Sequence, residues 1–196
     1  MARTKLLLGV VAVVFGLAVA AAPAFAVHKY ETPLGHAFAG EARLTHVFRF
    51  EKVFVECEAA AVSGELAAPA TAVTMVPHYS SCKLGGTLAS ASVTACAYEL
   101  LEPIGGPIFE AKMKVVNHGS GSCEITFSQI GCSVTVQSST SQLSKIRAED
   151  TGVASMWVAF EVKGLKYVHS GTCTGFGTGT DGEYKGSVNI EGMIIN

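Results

Sequence analysis

The sequence predicts an all-β protein: an antiparallel β-sandwich of about ten strands, with Greek-key or jelly-roll-like connections, stapled by disulfides. Three observations carry this. Short runs of β-branched and aromatic residues are separated by Gly, Pro, Ser and Asp, the punctuation of strands and turns. Within the runs apolar and polar residues alternate, as in antiparallel strands with one wet face, whereas parallel strands read as continuous apolar runs. After residue 26 no convincing amphipathic helix interrupts them.

The first segment stands apart. Arg3 and Lys5 precede an uncharged stretch from Leu6 to Val27, and "APAFA" places Ala24 and Ala26 where a signal peptidase reads small residues. Basic start, apolar middle and A-x-A exit predict a signal peptide over residues 1–26, cleaved after Ala26. The competing reading is an uncleaved membrane anchor, for which about 20 apolar residues suffice; the A-x-A site and Pro23 favour cleavage. Residues 27–43 then form a flexible mature N-terminus, and residues 44–196 one β domain, within the usual size of a single core.

The domain opens with "HVFRFEKVFVEC", in which Phe48, Phe50 and Phe54 recur at even spacing and so share a face. "TAVTMV" runs into Pro77, which suits a strand's end. In "SVTACAYELL" Cys96, Tyr98 and Leu100 share a face, and "IFEAKMKVV" follows the turn-rich "EPIGGP". "CEITF" and "CSVTVQ" form a hairpin through "SQIG". "SSTSQLSKIRAED" reads either as loop plus strand or as a short capped helix. "GVASMWVAFEVKG" is the clearest strand, with Met156, Val158, Phe160 and Val162 on one face and Ser155, Trp157, Ala159 and Glu161 on the other. "LKYVH" and "EYKGSVNIEGMII" close the chain around a glycine-rich loop carrying an Asp181-Gly182 turn signal.

Six cysteines, Cys57, Cys82, Cys96, Cys123, Cys132 and Cys173, all lie after the signal segment. An even number in an exported chain predicts three disulfides among fifteen possible connectivities. In the hairpin, Cys123 lies opposite a residue near Val136, several residues along the ladder from Cys132, so those two do not pair. The favoured set joins sequence neighbours: Cys57–Cys82, Cys96–Cys123 and Cys132–Cys173.

His78, His118 and His169 each precede a cysteine closely, but the chain has no close Cys pair of the structural-zinc kind and no Cys-x-x-Cys. Residues four apart on a strand are about 13 Å apart, too far for one ion. The expectation is no metal and no cofactor; a copper chelate at a terminal Val27-His28 is the minor alternative. "HGSGS" lacks the helix that follows a nucleophile elbow, and His118, Ser120 and Asp150 or Asp181 make a triad only on paper. Glu56 and Glu58 point to one face of one strand and read as a solvated surface. "TCTGFGTGTDGEYKG" lacks the Lys-Ser/Thr ending of a phosphate loop. Trp157, the single tryptophan, reads as buried, or alternatively as a sugar-stacking platform. All 16 acidic residues follow residue 26 while two of 14 basic ones precede it, and no Lys/Arg run exists, which argues against nucleic acid as a partner.

"VFVECEAAAVSGE", "VPHYSSC", "CAYEL", "CSVTVQ" and "CTGFGTGTDGEYKG" together resemble a group of small secreted actinobacterial-type proteins with signal peptides and cysteine-bearing β domains. The resemblance runs from about Val47 to Gly186 on Cys, Gly and aromatic landmarks. It implies a secreted β domain, no catalytic residues and no particular ligand. The leading expectation is therefore a secreted or cell-envelope, non-enzymatic β domain with a structural or binding role, with no stable membrane anchor after cleavage. The alternatives are a carbohydrate- or small-ligand-binding domain using Trp157, with a cell-envelope component or glycan as partner, and a secreted hydrolase with an unrecognised site.

Overall fold

The computed structural model describes residues 27–33, 35–105, 108–138, 145–152, 154–174 and 177–196, with backbone only for 145–150 and 152. The segment read as a signal peptide lies outside the described residues. Every regular element among them is a strand. In chain order these are β1 (Tyr30–Glu31), β2 (Ala37–Phe50), β3 (Val53–Glu65), β4 (Val73–Leu84), β5 (Thr87–Thr94), β6 (Cys96–Leu100), β7 (Ile104–Gly105), β8 (Phe109–Ala111), β9 (Met113–Asn117), β10 (Glu124–Gln129), β11 (Cys132–Gln137), β12 (Lys145–Gly152), β13 (Ser155–Gly171), β14 (Gly179–Glu191) and β15 (Ile194–Ile195).

Twelve of these fifteen segments build eight long staves; β1 and β15 pair with each other, and β7 pairs with β8 at an edge. β5 and β6 run along β4 as one stave, broken at Ala95, which takes a left-handed φ of 48°. β8, β9 and β10 follow one another as the next stave, β9 pairing with β6 and β10 with β5. β11 and β12 form the stave after that, pairing with the two halves of β13. Each stave pairs antiparallel with the next in sequence, and β14 pairs back onto β2. The result is an up-and-down barrel of eight staves. It replaces the expected sandwich with Greek-key or jelly-roll connections. Alternation along each strand says which residues face inward, and it is the same for two facing sheets as for one sheet closed on itself.

Three local expectations also change. Pro77 sits inside β4, opposite Val62. It falls between Met75, the last pair with β6, and Cys82, the first pair with β5, where β4 has no ladder partner on that side, so a missing N–H is tolerated. Phe54 does not share the face of Phe48 and Phe50. The turn at Glu51–Lys52 reverses the chain, and Phe54 emerges exposed beneath the Arg49 guanidinium, 5.6 Å from its ring centroid. The described residues of 27–43 are built into the fold rather than leading up to it. Tyr30 is fully buried, β1 pairs with β15, and β2 begins at Ala37. Backbone bonds from Lys29 to Asn196 and from Tyr30 to Ala70, with the Tyr30 hydroxyl donating to Leu101 O at 2.9 Å, seal this end of the barrel. The ambiguous stretch from Ser138 to Asp150 ends in β12; residues 139–144 lie outside the described ones.

The six cysteines form Cys57–Cys82, Cys96–Cys123 and Cys132–Cys173, with Cα separations of 4.0, 4.4 and 4.9 Å. The β10–β11 hairpin turns at Ile130-Gly131 with Gln129 opposite Cys132, which holds Cys123 at the far end of the ladder. The barrel interior is filled by side chains. Phe48, Phe50, Val55, Leu84, Phe127, Val134, Phe160, Leu165 and Tyr167 are buried there. Eight strands leave an interior just wide enough for such filling or for one small ligand.

Candidate functional site

One polar cluster interrupts this apolar interior. His46 alternates with Phe48 and Phe50 along β2 and therefore points inward with them; it is 1% exposed. Its ring lies against Gly186 of β14, where any side chain would occupy the same space. Its Nε2 is 3.1 Å from Ser187 O and its Nδ1 is 2.7 Å from the Tyr184 hydroxyl. A carbonyl only accepts, so Nε2 carries the proton and the unprotonated Nδ1 accepts from Tyr184. The Tyr79 hydroxyl in turn donates to Tyr184 at 3.2 Å, and with its one proton so engaged it accepts from Tyr98 at 2.5 Å. The hydroxyls thus form a one-way chain, Tyr98 to Tyr79 to Tyr184 to His46, ending on the β14 backbone.

Burial sets the protonation states. It pulls the His46 imidazolium below the ordinary histidine range, an effect the Ser187 carbonyl partly opposes. It pushes all three phenols of the chain upward. The cluster is neutral at neutral pH, and each member has a partner, which is the condition for burying polar groups without a large penalty.

The wall beside the cluster is irregular. Between the pairs Glu41–Ala61 and His46–Cys57, β2 carries one residue more than β3, a bulge that separates the two strands. A cleft of about 340 Å³ opens there on the outer surface, lined by Glu41, Ala42, Glu58, Ala60, His78 and Tyr79. Tyr79 therefore belongs both to the cleft floor and to the interior chain. A second outer cleft, about 390 Å³, lies along β2 and β14 and is lined by Gly40, Glu41, Arg43, Asn189 and Glu191. Asn189 is the register partner of Trp157, and the Arg43 guanidinium stands 5.8 Å from the Trp157 ring centroid, within cation–π range. Trp157 is half-buried on the outer face of β13, neither a second core layer nor a bare platform. Its indole N–H is enclosed without a hydrogen-bond partner among the described residues.

Family models, curated proteins and solved structures give no match to this chain. The site has to be read from its own geometry.

The other singled-out residues are dispersed. His78 lies on the exposed face of β4, His118 in the exposed link before Cys123, and His169 on β13 opposite Val134. The cysteines that follow them are all bonded to other cysteines. No group of three or more His, Cys, Asp or Glu is placed to hold a metal ion among the described residues. The His118 backbone N–H donates to Ala95 O; Asp181 accepts from the Tyr167 hydroxyl at 3.1 Å on the β13–β14 side of the barrel, with β11 and β13 between it and the "HGSGS" link. The Asp150 side chain lies outside the described ones. Glu58 holds Lys83 at 2.8 Å on the surface, a contact that lowers the carboxyl's proton affinity. His46 was open to sequence reasoning: an ionisable residue in phase with Phe48 and Phe50 is a polar group on a core face.

Proposed function

We propose that this chain is an exported, non-enzymatic barrel with a structural or binding role outside the cell or in the cell envelope, released by cleavage after Ala26. The observation that carries this reading is the pairing of all six cysteines into three disulfides, a state that persists in oxidising compartments. Its kinship is with the secreted actinobacterial-type proteins of similar cysteine and glycine landmarks. The interior supports a scaffold: its reactive-looking groups are hydrogen-bonded to one another and neutral. The test is to express the full chain in an actinobacterial host, fractionate the culture, and sequence the N-terminus. Protein beginning at Val27 in the medium or envelope, with no free thiols, is the expected result; full-length, thiol-bearing protein in the cytoplasm overturns the reading.

A second reading, a glycan- or small-ligand-binding barrel, rests on the cleft beside Trp157. Glu41, Arg43, Asn189 and Glu191 offer charged and amide groups beside an aromatic face, the usual mixture in a polar-ligand site. A glycan array probed with the mature protein and with Trp157→Ala tests it: spots lost in the variant support it, and identical patterns refute it. The Ser-His-acid arrangement that one class of hydrolase uses is not assembled by the described candidates.

A further inference from the structure

The interior chain ends in a pairing that no other tyrosine of the protein has. Of the five tyrosines, Tyr98 and Tyr79 give their protons to phenol oxygens and Tyr30 to the Leu101 carbonyl, none of which is an effective base. Tyr167 donates to the Asp181 carboxylate at 3.1 Å. Tyr184 alone donates to an imidazole nitrogen, at 2.7 Å, and the Ser187 carbonyl holds that imidazole in the accepting tautomer. Losing an electron turns a phenol into a strong acid, so the tyrosine most easily oxidised is the one whose proton has a base already in place. Imidazole is intrinsically a stronger base than carboxylate; burial takes part of that advantage from His46, but its contact with the phenol is the shorter of the two, 2.7 Å against 3.1 Å.

We propose that Tyr184 is the one-electron oxidation site of this protein, giving its electron to an external one-electron oxidant and its proton to His46 Nδ1. The Tyr184 O–H bond breaks and an N–H bond forms at Nδ1. The electron leaves to the oxidant, whose charge falls by one, and a neutral phenoxyl radical and an imidazolium remain. Both are held: Nδ1–H now donates to the phenoxyl oxygen, and Nε2–H still donates to Ser187 O. Reduction reverses each step. Tyr79 supplies the route outward. Its ring lies 6.4 Å from that of Tyr184, and it lines the outer cleft at the β2 bulge. Packing by Phe48 at 4.5 Å and Phe160 at 6.0 Å shields the radical from water and from coupling to a second molecule. In an exported scaffold this is an internal trap for oxidising equivalents of the radical class, drawing them away from Trp157 and the methionines.

The test uses the intact disulfide-bonded protein, a photo-excited ruthenium(II) polypyridyl complex as oxidant and persulfate as the terminal electron acceptor. Freeze-trapped samples are read by electron paramagnetic resonance. The expected result is a tyrosyl signal that falls at least tenfold in Tyr184→Phe and persists in Tyr167→Phe and Tyr30→Phe. In the wild type, which needs no variant to fold, radical formation should slow in D₂O and as His46 is protonated. A signal that survives Tyr184→Phe, that disappears in Tyr167→Phe, that resides on Trp157, or whose formation ignores both deuterium and pH overturns the proposal.

Discussion

Replacing Gly186 by alanine tests whether the interior cluster is fixed by close packing or merely occupies spare room. An ideal Cβ at this position would lie 2.6 Å from His46 Nδ1 and 2.8 Å from Cε1 and Cγ. Ordinary contact begins near 3.5 Å, so the ring must retreat by about 1 Å. Gly186 is not among the positive-φ glycines, so its backbone accepts alanine without strain and the whole effect is steric. A retreat of that size takes the 2.7 Å and 3.1 Å bonds to Tyr184 and Ser187 beyond good geometry. Two buried hydrogen bonds at about 1 kcal/mol each and overpacking of about 1–3 kcal/mol outweigh the about 0.4–1 kcal/mol that alanine gains by restricting the unfolded chain. The net loss is about 3 kcal/mol, or a Tm drop of about 6–12 °C for a chain of this size. The assay is urea and thermal unfolding of wild type, Gly186→Ala, His46→Ala and the double variant. In the His46→Ala background the alanine at 186 meets no ring, and its cost should fall below about 1 kcal/mol, a coupling that only neighbours show. A Gly186→Ala protein within about 0.5 kcal/mol of wild type, or an equal cost with and without the His46 ring, refutes the reasoning.

Acidification should act through the same histidine. Burial lowers its folded-state pKa, so below about pH 6.5 the unfolded chain takes up a proton that the folded chain refuses. Stability from this group is fully present above that pH and is lost as pH falls, by up to about 1.4 kcal/mol per pH unit until the folded pKa is reached. The His46 ring resonances in folded protein should accordingly titrate at lower pH than those of free imidazole. Removing the Cys96–Cys123 bond by a double Cys→Ser change, which opens a loop of sequence separation 27, should cost about 3.5 kcal/mol in urea unfolding; hydrogen exchange should rise at the ends of β6 and β10. Because Trp157 is the single tryptophan and is half-covered beside Arg43, its fluorescence should be partly accessible to acrylamide, and Arg43→Ala should raise that accessibility without changing Tm by more than about 2 °C.

The fold class was legible because it rests on a local signal. Met156, Val158, Phe160 and Val162 alternate with Ser155, Trp157, Ala159 and Glu161, and the first set is buried while none of the second is. The closure was not legible, because it rests on the pairing of β14 with β2, residues far apart in sequence whose meeting depends on the stagger accumulated around all eight staves. The breaks within staves also hid. Ala95 carries no glycine to announce its positive φ, and Pro77 signals a strand end on every local rule. The candidate site was half legible. Tyr98 and His46 sit on faces that alternation marks as inward, but Tyr98 reaches Tyr79, and Tyr79 reaches Tyr184, only across the barrel's interior.

The positions of the disulfides explain how a barrel with so many interruptions stays closed. The ladder fails at the β2 bulge, at Ala95, along the link from His118 to Ser122, and where β13 passes Gly164 at φ 76°. At such places the regular ladder is interrupted and local opening is cheapest. Cys57–Cys82 lies immediately beyond the β2 bulge, since Cys57 is the register partner of His46. Cys96–Cys123 spans the Ala95 kink and the His118 link directly. Cys132–Cys173 ties the start of β11 to the residues just past the end of β13, where the staves separate into their loops. A core lined by Phe48, Phe127 and Phe160 supplies apolar burial on all sides of the barrel, but burial is non-directional and does not hold one stave edge against the next. Covalent links do, across the Ala95 break itself and between β3 and β4 next to the β2 bulge. The bulge that weakens the β2–β3 wall is also what admits Tyr79 to the outer cleft, and the Cys57–Cys82 bond fixes β3 to β4 on the far side of that opening, beside the only described buried histidine.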